Sequence, residues 1–384
     1  MRFPEFTEEW KEEQLDNIAT LSKGIGISKE QLSEDGEPCI LYGELYTKYK
    51  SEIIKQVESK TDINGSKLKR SKANDVIIPC SGETAVDIAT ARCVPFDNIL
   101  FGGDLNVISL HQYDGAFMSY QLNGKRKYDI ARVAQGVSIV HLYGEHLKAI
   151  KTYNPTLPEQ QKIAKLLSLL DDRIDTQNKI IEKYESLIKG LNNILLYGTE
   201  GKYVCLGDIL LERLERSRTN NQHEVLSSTV KGIFSQREYF SKDIASENNV
   251  GYKIIRLHDV VLSPQNLWMG NINYNDRFDI GIVSPSYKVF SIADGYDNQF
   301  VAAMLKTYRA LYSYMMVSEQ GASIVRRNLN MEAFLQLVFK IPSLDKQREI
   351  GYAISLLKYQ LKTANKIIRA YISQKKYLLR QMFI

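Results

Sequence analysis

Closely spaced lysine and arginine residues are the side chains of this sequence whose chemistry is easiest to interpret. In the first half of the chain they are Lys67, Lys69, Arg70, Lys72, Lys125, Arg126, Lys127 and Arg132. In the second half they are Arg213, Arg216, Arg218, Lys231, Arg237, Arg326 and Arg327. Cations in loops with polar neighbours can contact phosphate groups and the hydrogen-bonding edges of bases. Each is also typical of an ordinary solvated surface, so both interpretations stay open.

Catalytic chemistry has only weak candidates. Asn154-Pro155-Thr156 lacks the second proline and the aromatic residue of the clamp with which methyltransferases hold a flipped adenine. Gly198-Thr199-Glu200-Gly201-Lys202 has the wrong spacing for a phosphate-binding loop. The histidines are scattered, and their spacing favours neither a metal site nor a catalytic triad: His111, His141, His146, His223 and His258. The sequence therefore predicts a chain that is not an enzyme and binds no cofactor or metal.

Composition narrows the class of protein further. The 384 residues, 44% of them hydrophobic and 25% charged, predict a globular protein of two or three domains. A net charge of +5 is compatible with nucleic acid. There is no membrane-length apolar run or secretory signal, so we expect a cytoplasmic location. The four cysteines have no metal-binding spacing and are expected to be reduced thiols.

An internal repeat determines which elements position these residues. Pro155–Tyr197 aligns without a gap with Pro342–Ile384, and sixteen of the 43 positions are identical. In the first copy, apolar residues recur at spacings of three, four and seven from Glu159 to about Leu196, without a proline. This pattern predicts a long amphipathic helix in each copy. Neither helix can bury its apolar stripe alone, so we expect the two stripes to pack on each other as in a coiled coil.

The residues before each helix have a different pattern. Short apolar runs between Gly, Asn and Asp predict strands with irregular connections and a few helices, including one from Asn298 to Val317. Gln135–Val140 resembles Gln320–Val325, so the repeat extends into these parts. Such segments either direct His141 and Arg326-Arg327 toward a ligand or are turns in which the glycine needs a positive φ, and both alternatives stay open.

These features together resemble the specificity subunit of type I restriction-modification systems. The resemblance rests on the doubled architecture, on Pro-Thr-Leu-Pro-Glu-Gln-Gln-Lys-Ile-Ala at 155–164, and on Ser-Leu-Leu-Asp at 168–171. The second copy departs from the pattern, since Lys346 replaces the glutamate and Lys358 replaces Asp171. The resemblance implies an α+β fold with two target-recognition domains, 1–154 and 198–341. The two long helices, 155–197 and 342–384, would then be antiparallel and related by a pseudo-two-fold axis.

The resemblance also implies a function. Each recognition domain would read one half of a bipartite, asymmetric double-stranded DNA target, and the basic residues above are the candidates for DNA contacts. The helices would set the distance between the half-sites and dock two methyltransferase subunits. Restriction and translocase subunits would join through this complex. The methyl donor and ATP are expected on those partners, which would methylate adenine and cleave DNA.

Three alternatives make different predictions. A protein-binding scaffold with two ligand modules on a helical rod would show no salt-dependent DNA association and no methyltransferase partner. A nuclease or methyltransferase in its own right would be active as an isolated chain. An inactive or exchanged allele would keep the fold without a compatible catalytic subunit.

Overall fold

The computed structural model describes residues 1–64, 67–239, 248–320 and 327–383. The chain divides into two compact units: unit 1 is Met1–Lys179 with Lys366–Ile384, and unit 2 is Ile180–Asn365. Each unit therefore contains a globular part together with a portion of each long helix. The domain limits given above remain predictions.

Unit 1 consists of short strands and helices that precede the first long helix. Its strands are β1 (Lys11–Gln14), β2 (Ala19–Lys23), β3 (Glu37–Ile40), β4 (Lys60–Thr61), β5 (Lys69–Arg70), β6 (Asp75–Pro79), β7 (Ser81–Gly82), β8 (Arg92–Val94), β9 (Leu100–Phe101), β10 (Leu105–Leu110), β11 (Val140–His141) and β12 (Lys151–Asn154). Its helices are α1 (Leu15–Ile18), α2 (Glu44–Thr47), α3 (Ala85–Ile88), α4 (Gly115–Asn123), α5 (Lys127–Val133) and α6 (Gly144–Lys148). The long helix α7 (Leu157–Tyr197) follows and continues into unit 2.

The central sheet of unit 1 has the strand order β2-β10-β6-β8, and all its pairs are antiparallel. Strand β6 is buried along its whole length. Val76 and Ile78 pack into the cluster formed with the short helices, whereas Ile77 packs into a second cluster. This alternation follows from strand geometry, in which successive side chains point to opposite faces. Both faces of the central strand are therefore covered, which explains its unbroken apolar run.

A second sheet, in the order β4-β3-β9-β5, covers the Ile77 side of the central sheet. Ile40 of β3 and Phe101 of β9 lie in the same cluster as Ile77. Their neighbours Cys39 and Leu100 point to the opposite face and form a smaller cluster. The globular part of unit 1 is thus a sandwich in which the outer sheet carries the Lys69–Arg70 strand on its edge.

Unit 2 begins within α7. Its strands are β13 (Lys202–Cys205), β14 (Leu210–Glu212), β15 (Leu226–Thr229), β16 (Gly232–Ser235), β17 (Lys253–Arg256), β18 (Val260–Leu262), β19 (Ile272–Tyr274), β20 (Ile280–Val283), β21 (Lys288–Ile292), β22 (Ser318–Gln320), β23 (Arg327–Leu329) and β24 (Val338–Ile341). Its helices are α8 (Leu206–Ile209), α9 (Gln236–Tyr239), α10 (Asn298–Met304), α11 (Tyr308–Met316) and α12 (Met331–Leu335). The second long helix, α13 (Leu344–Gln381), starts here and ends in unit 1.

The central sheet of unit 2 repeats that of unit 1. Its order is β14-β21-β18-β19, again antiparallel, with β18 in the place of β6. Asp75 and Asp259 stand at equivalent positions, and each accepts a hydrogen bond from the backbone N–H three residues earlier, at 2.9 and 2.8 Å. The preceding residues, Asn74 and His258, both have positive φ, 83° and 73°. The predicted internal repeat is therefore confirmed in structure.

A glutamine at the start of each long helix joins it to the domain that precedes it. The side-chain amides of Gln160 and Gln347 donate to the carbonyl of the proline five residues earlier, at 2.8 and 2.9 Å. Their oxygens accept from the backbone N–H of Asp114 and Asp297, both at 2.9 Å. Each aspartate in turn caps a helix, α4 or α10. The glutamine shared by the two copies is thus the residue that orients helix and domain.

Within unit 1 the two long helices run in opposite directions. Lys375 Nζ of α13 lies 2.5 Å from Asp171 Oδ1 of α7. Ile163, two turns before Asp171, shares a cluster with Met382, two turns after Lys375. The predicted fold class is confirmed: it is an α+β chain with two mixed domains and two long paired helices.

One predicted element is wrong in its extent, and another prediction holds. The helix expected from Asn298 to Val317 is broken into α10 and α11. The break occurs because the Thr307 hydroxyl accepts from the Ala310 N–H and starts a new helix. The four cysteines are free thiols.

Candidate nucleic-acid interface

The first basic group lies on the outer sheet of unit 1. Lys69 and Arg70 form its edge strand β5. The guanidinium of Arg70 makes two bonds to the Glu37 carboxylate, at 2.6 and 3.0 Å, and holds the pKa of that carboxyl below its ordinary value. Lys67 and Lys72 are exposed and make no ion pair with another described residue. The group therefore presents free ammonium groups beside an arginine that is already engaged.

The second basic group lies elsewhere, on α5 and the loop before it, which pack against α3 and α4. The Arg126 guanidinium lies 5.1 Å from the centre of the Tyr153 ring and 3.4 Å from Asp129. Arg132 pairs with the same carboxylate at 3.0 Å. Burial lowers the pKa of Lys127. The fold thus separates the two groups that sequence reasoning placed together as DNA contacts, and leaves Lys125 exposed.

In unit 2 the arginines that follow β14 are mostly engaged. Arg213 pairs with the buried Asp259 at 2.9 Å. Arg216 donates to the Gly251 carbonyl at 2.9 Å. Arg218 is exposed. The first two therefore contribute to the fold, and Arg218 is the member of this run with the greatest freedom to contact a ligand.

The remaining candidates of unit 2 lie at turns. Lys231 is exposed in the turn between β15 and β16, and Arg237 is exposed on α9. Arg327 begins β23, whereas Arg326 lies outside the residues that the structure describes. A DNA contact remains a prediction for each of the sequence candidates.

Unit 1 has a cation-aromatic cluster that the sequence did not reveal, here called the first edge cluster: Lys23, His141, Tyr143 and His146. Lys23 Nζ lies 5.6 Å from the centre of the Tyr143 ring. The His141 ring stacks on this tyrosine at 6.2 Å, and the His146 ring meets it edge-on at 5.6 Å. The cluster lies beside the two-stranded sheet formed by β11 and β7, and β7 is the short strand that follows β6. Tyr143 is 44% exposed, so the cluster is open to a ligand.

Unit 2 carries a second edge cluster, Trp268 with Arg327. The Arg327 guanidinium lies 4.9 Å from the centre of the Trp268 ring. Its backbone N–H donates to the Gln265 carbonyl at 3.2 Å, in the loop that follows β18. In each domain a cation thus lies over an aromatic ring near the loop that follows the central strand, β6 or its repeat β18. The segments that supply these side chains differ. In unit 1 the ring follows β11 and the cation ends β2, whereas in unit 2 the ring follows β18 and the cation begins β23.

The glycine of the duplicated Gln-Gly-x-Ser segment can be assigned in one copy. Gly136 has φ 119°, and a Cβ there would lie 2.1 Å from the Ile139 carbonyl oxygen. The positive φ predicted by the structural interpretation is thus found. The other interpretation, in which this segment directs His141 toward a ligand, stays open, because His141 belongs to the first edge cluster. Gly321 lies outside the described residues.

The first part of the chain matches a known protein family. Residues 7–186 match the model described as the type I restriction modification DNA specificity domain. These residues belong to that family. The predicted resemblance to type I specificity subunits is thereby confirmed, and a role in DNA recognition within restriction-modification follows from it.

Similarity to solved structures extends over the whole chain. The S subunit of a type I restriction-modification system from M. genitalium has a TM-score of 0.64 at 16% identity, over 100% of this chain and 97% of that one. A chain from a structure on complex assembly and conformational transition of the type I R-M system has a TM-score of 0.53 at 12% identity, over 98% and 97%. At such identities the similarity shows a common fold.

Across the described part of the chain, no helix is long and apolar enough to cross a bilayer. Within the same part, no three His, Cys, Asp or Glu side chains are grouped as metal ligands.

Proposed function

We propose that this chain is the non-catalytic subunit that reads a bipartite, asymmetric DNA target, one half with each recognition domain. The long helices set the spacing of the half-sites and dock two methyltransferase subunits. The methyl donor and ATP bind to partner subunits, which methylate adenine and cleave DNA, and restriction subunits join through this complex. The solved relative whose structure concerns complex assembly supports such partners.

The pair of edge clusters is the observation that carries this proposal. Lysine and arginine recognise guanine edges and phosphates, and an aromatic ring beneath the cation restricts its direction. Tyr143 with Lys23 lies near the loop that follows β6, and Trp268 with Arg327 lies near the loop that follows its repeat, β18. Different cation–ring pairs in two repeated domains are what two readers of different half-sites require. The exposed cations Lys72 and Arg218 would contribute phosphate contacts, which carry affinity without sequence preference.

The long helices have the dimensions that a spacer needs. Helix α7 contains 41 residues and α13 contains 38. At 1.5 Å per residue each is roughly 60 Å long. Half-sites on one side of a duplex are separated by multiples of about 34 Å, so helices of this length can define such a separation.

Exposed apolar residues repeated in both helices support the docking of two identical partners. Leu169 and its copy Leu356 are both 46% exposed. Ile180 and its copy Ile367 are both 38% exposed. Residues exposed to the same extent at aligned positions can meet the same surface of a partner twice. Apolar side chains that water would otherwise surround are typical of protein-binding sites.

The test is co-expression of the full chain with the methyltransferase subunit of its own system, followed by sequencing of host DNA for modified adenines. We expect one bipartite motif with a fixed spacer. The Tyr143→Ala variant should relax one half of the motif, and Arg327→Ala the other half. Tyr203→Ala is the control, since Tyr203 is 77% exposed and lies in neither edge cluster.

Two results would contradict the proposal. If either variant relaxed both halves, the assignment of one domain to one half would be wrong. If the subunits co-purified but no motif appeared, a protein-binding scaffold would explain the chain better. DNA binding by the complex is measured in parallel as a function of salt concentration. Salt-dependent binding without a motif would indicate an inactive partner, whereas no such binding would indicate a scaffold.

A further inference from the structure

Lys306 of unit 2 makes contacts that a surface lysine does not make. It lies in the short junction between α10 and α11 and is half-buried. Its Nζ donates hydrogen bonds to the Gly270 carbonyl at 3.0 Å and to the Val230 carbonyl at 3.3 Å. No carboxylate in the described part of the chain pairs with it. The ammonium therefore connects two backbone segments instead of balancing a charge.

Both segments carry residues of the candidate interface. Val230 belongs to the turn between β15 and β16 and precedes Lys231 directly. Gly270 ends the short helical turn Leu267–Met269, which contains Trp268, and has φ 93°. Through Lys306, the Lys231 turn is tied to the turn that supports the second edge cluster.

The first domain shows which part of this arrangement is general. Asn123 holds the place of Lys306, since each lies nine residues after the aspartate that caps α4 or α10. Its side chain accepts from the Ala91 N–H at 2.8 Å and donates to the Ala91 carbonyl at 2.9 Å. Ala91 precedes β8 as Gly270 precedes β19. In both domains a side chain thus tethers the segment that precedes the edge strand, β8 or β19. Only the longer side chain of Lys306 also reaches a hairpin turn, the one between β15 and β16.

Stability alone does not account for a lysine here. An ammonium without a carboxylate is costly to bury, and burial, with Lys358 nearby, lowers the pKa of Lys306 to about 8. A methionine would fill the same space without that cost. The hydrogen bonds to two carbonyls are what the lysine adds.

We propose that Lys306 is a positioning residue of the second recognition domain. By holding the Val230 and Gly270 carbonyls on one ammonium, it fixes Lys231 relative to Trp268 and Arg327, so that they meet one half-site together. This role rests on the proposed DNA recognition, although the tether itself does not.

The tether is tested first, without DNA, by hydrogen exchange on the full chain. We expect Lys306→Met to speed amide exchange in the Val230–Gly232 turn by about tenfold, the effect of one lost hydrogen bond. Lys306→Arg, which keeps the donors, should restore slow exchange. Asn123→Ala is the matched control and should change exchange near Ala91 only. Unchanged exchange in Lys306→Met would overturn the proposal.

The role in recognition is tested by the methylated motif of the co-expressed complex. Lys306→Met should relax the same half as Arg327→Ala and leave the other half unchanged, and Lys306→Arg should recover it. If Lys306→Met relaxed both halves of the motif, the residue would be a structural tether without a role in specificity. The same conclusion would follow if amide exchange became faster but neither half was relaxed. If the wild-type complex gave no motif, the proposed function would fail, while the exchange result would still decide the tether.

Discussion

A buried ion network in unit 1 makes a sharp prediction about stability. Lys375 pairs with Asp171 at 2.5 Å and also with Glu52. The Tyr120 hydroxyl donates to the second Asp171 oxygen at 2.7 Å. The side chains of Lys375, Asp171 and Glu52 are only 15%, 4% and 9% exposed. A single ammonium therefore contacts two carboxylates in a nearly water-free site, where the buried Arg92 guanidinium also interacts with both of them.

The perturbation is Lys375→Met, which keeps the length of the side chain and removes its charge. Two buried carboxylates then lose their direct ion pair, and breaking a buried pair in this way costs about 3–5 kcal/mol. The second copy shows that the fold does not need these charges, because Asp171 aligns with Lys358 and Lys375 with Ile188. The triple variant Glu52→Gln, Asp171→Asn, Lys375→Met should thus recover to within about 1 kcal/mol of the parent.

The two tryptophans of the chain allow each unit to be followed separately. In a Trp268→Phe background, Trp10 reports on unit 1, where its ring lies 5.8 Å from Phe117. Urea unfolding followed by Trp10 fluorescence should show the loss of stability in Lys375→Met and its recovery in the triple variant. In a Trp10→Phe background, Trp268 reports on unit 2, and the same variants should leave its transition unchanged. The reasoning is refuted if Lys375→Met costs less than about 1 kcal/mol, or if the triple variant is as unstable as the single one.

Three further changes have directions that follow from the structure. Because Lys306 has a pKa of about 8 when folded and 10.5 when unfolded, the unfolded state binds more protons between these values. Lys306 should therefore contribute up to about 3 kcal/mol to unit 2 as pH rises through this window, measured by urea unfolding, and Lys306→Met should weaken the dependence, part of which remains because burial also lowers the pKa of Lys253 and Lys358. Leu169→Asp should lower the methyltransferase content of the purified complex from two copies to one, and adding Leu356→Asp should lower it to none, measured by native mass spectrometry; two retained copies would contradict the docking surface. Gly136→Ala should destabilise unit 1 by about 1–3 kcal/mol, because φ is positive and the new Cβ meets the Ile139 carbonyl, and an unchanged thermal midpoint would argue against this turn.

Local pattern and repetition were sufficient for the architecture. The long helices follow from apolar spacings of three and four, which any helix of this length must bury on one face. The repeat follows from an alignment, and the paired environments of Gln160 and Gln347 show that identical residues were kept for identical hydrogen bonds. Local pattern failed at the break between α10 and α11, since a continuous apolar stretch does not reveal that Thr307 caps a new helix.

The candidate site was only partly accessible to the same reasoning. Runs of charge identified exposed cations such as Lys72 and Lys231 together with arginines that the fold has already engaged, such as Arg70 with Glu37. A run in sequence does not show which carboxylate will lie opposite it, because that depends on how strands pair.

By itself, the sequence determined the doubled plan, the two helices and the family, since these depend on residues near one another or on copies of them. The tertiary structure alone decided which distant residues meet: Lys23 with Tyr143, Trp268 with Arg327, and Lys375 with Asp171. The physical reason is that these pairs are separated by tens to hundreds of residues. Their contact depends on strand order and helix direction, which are properties of the packed core and of no local segment.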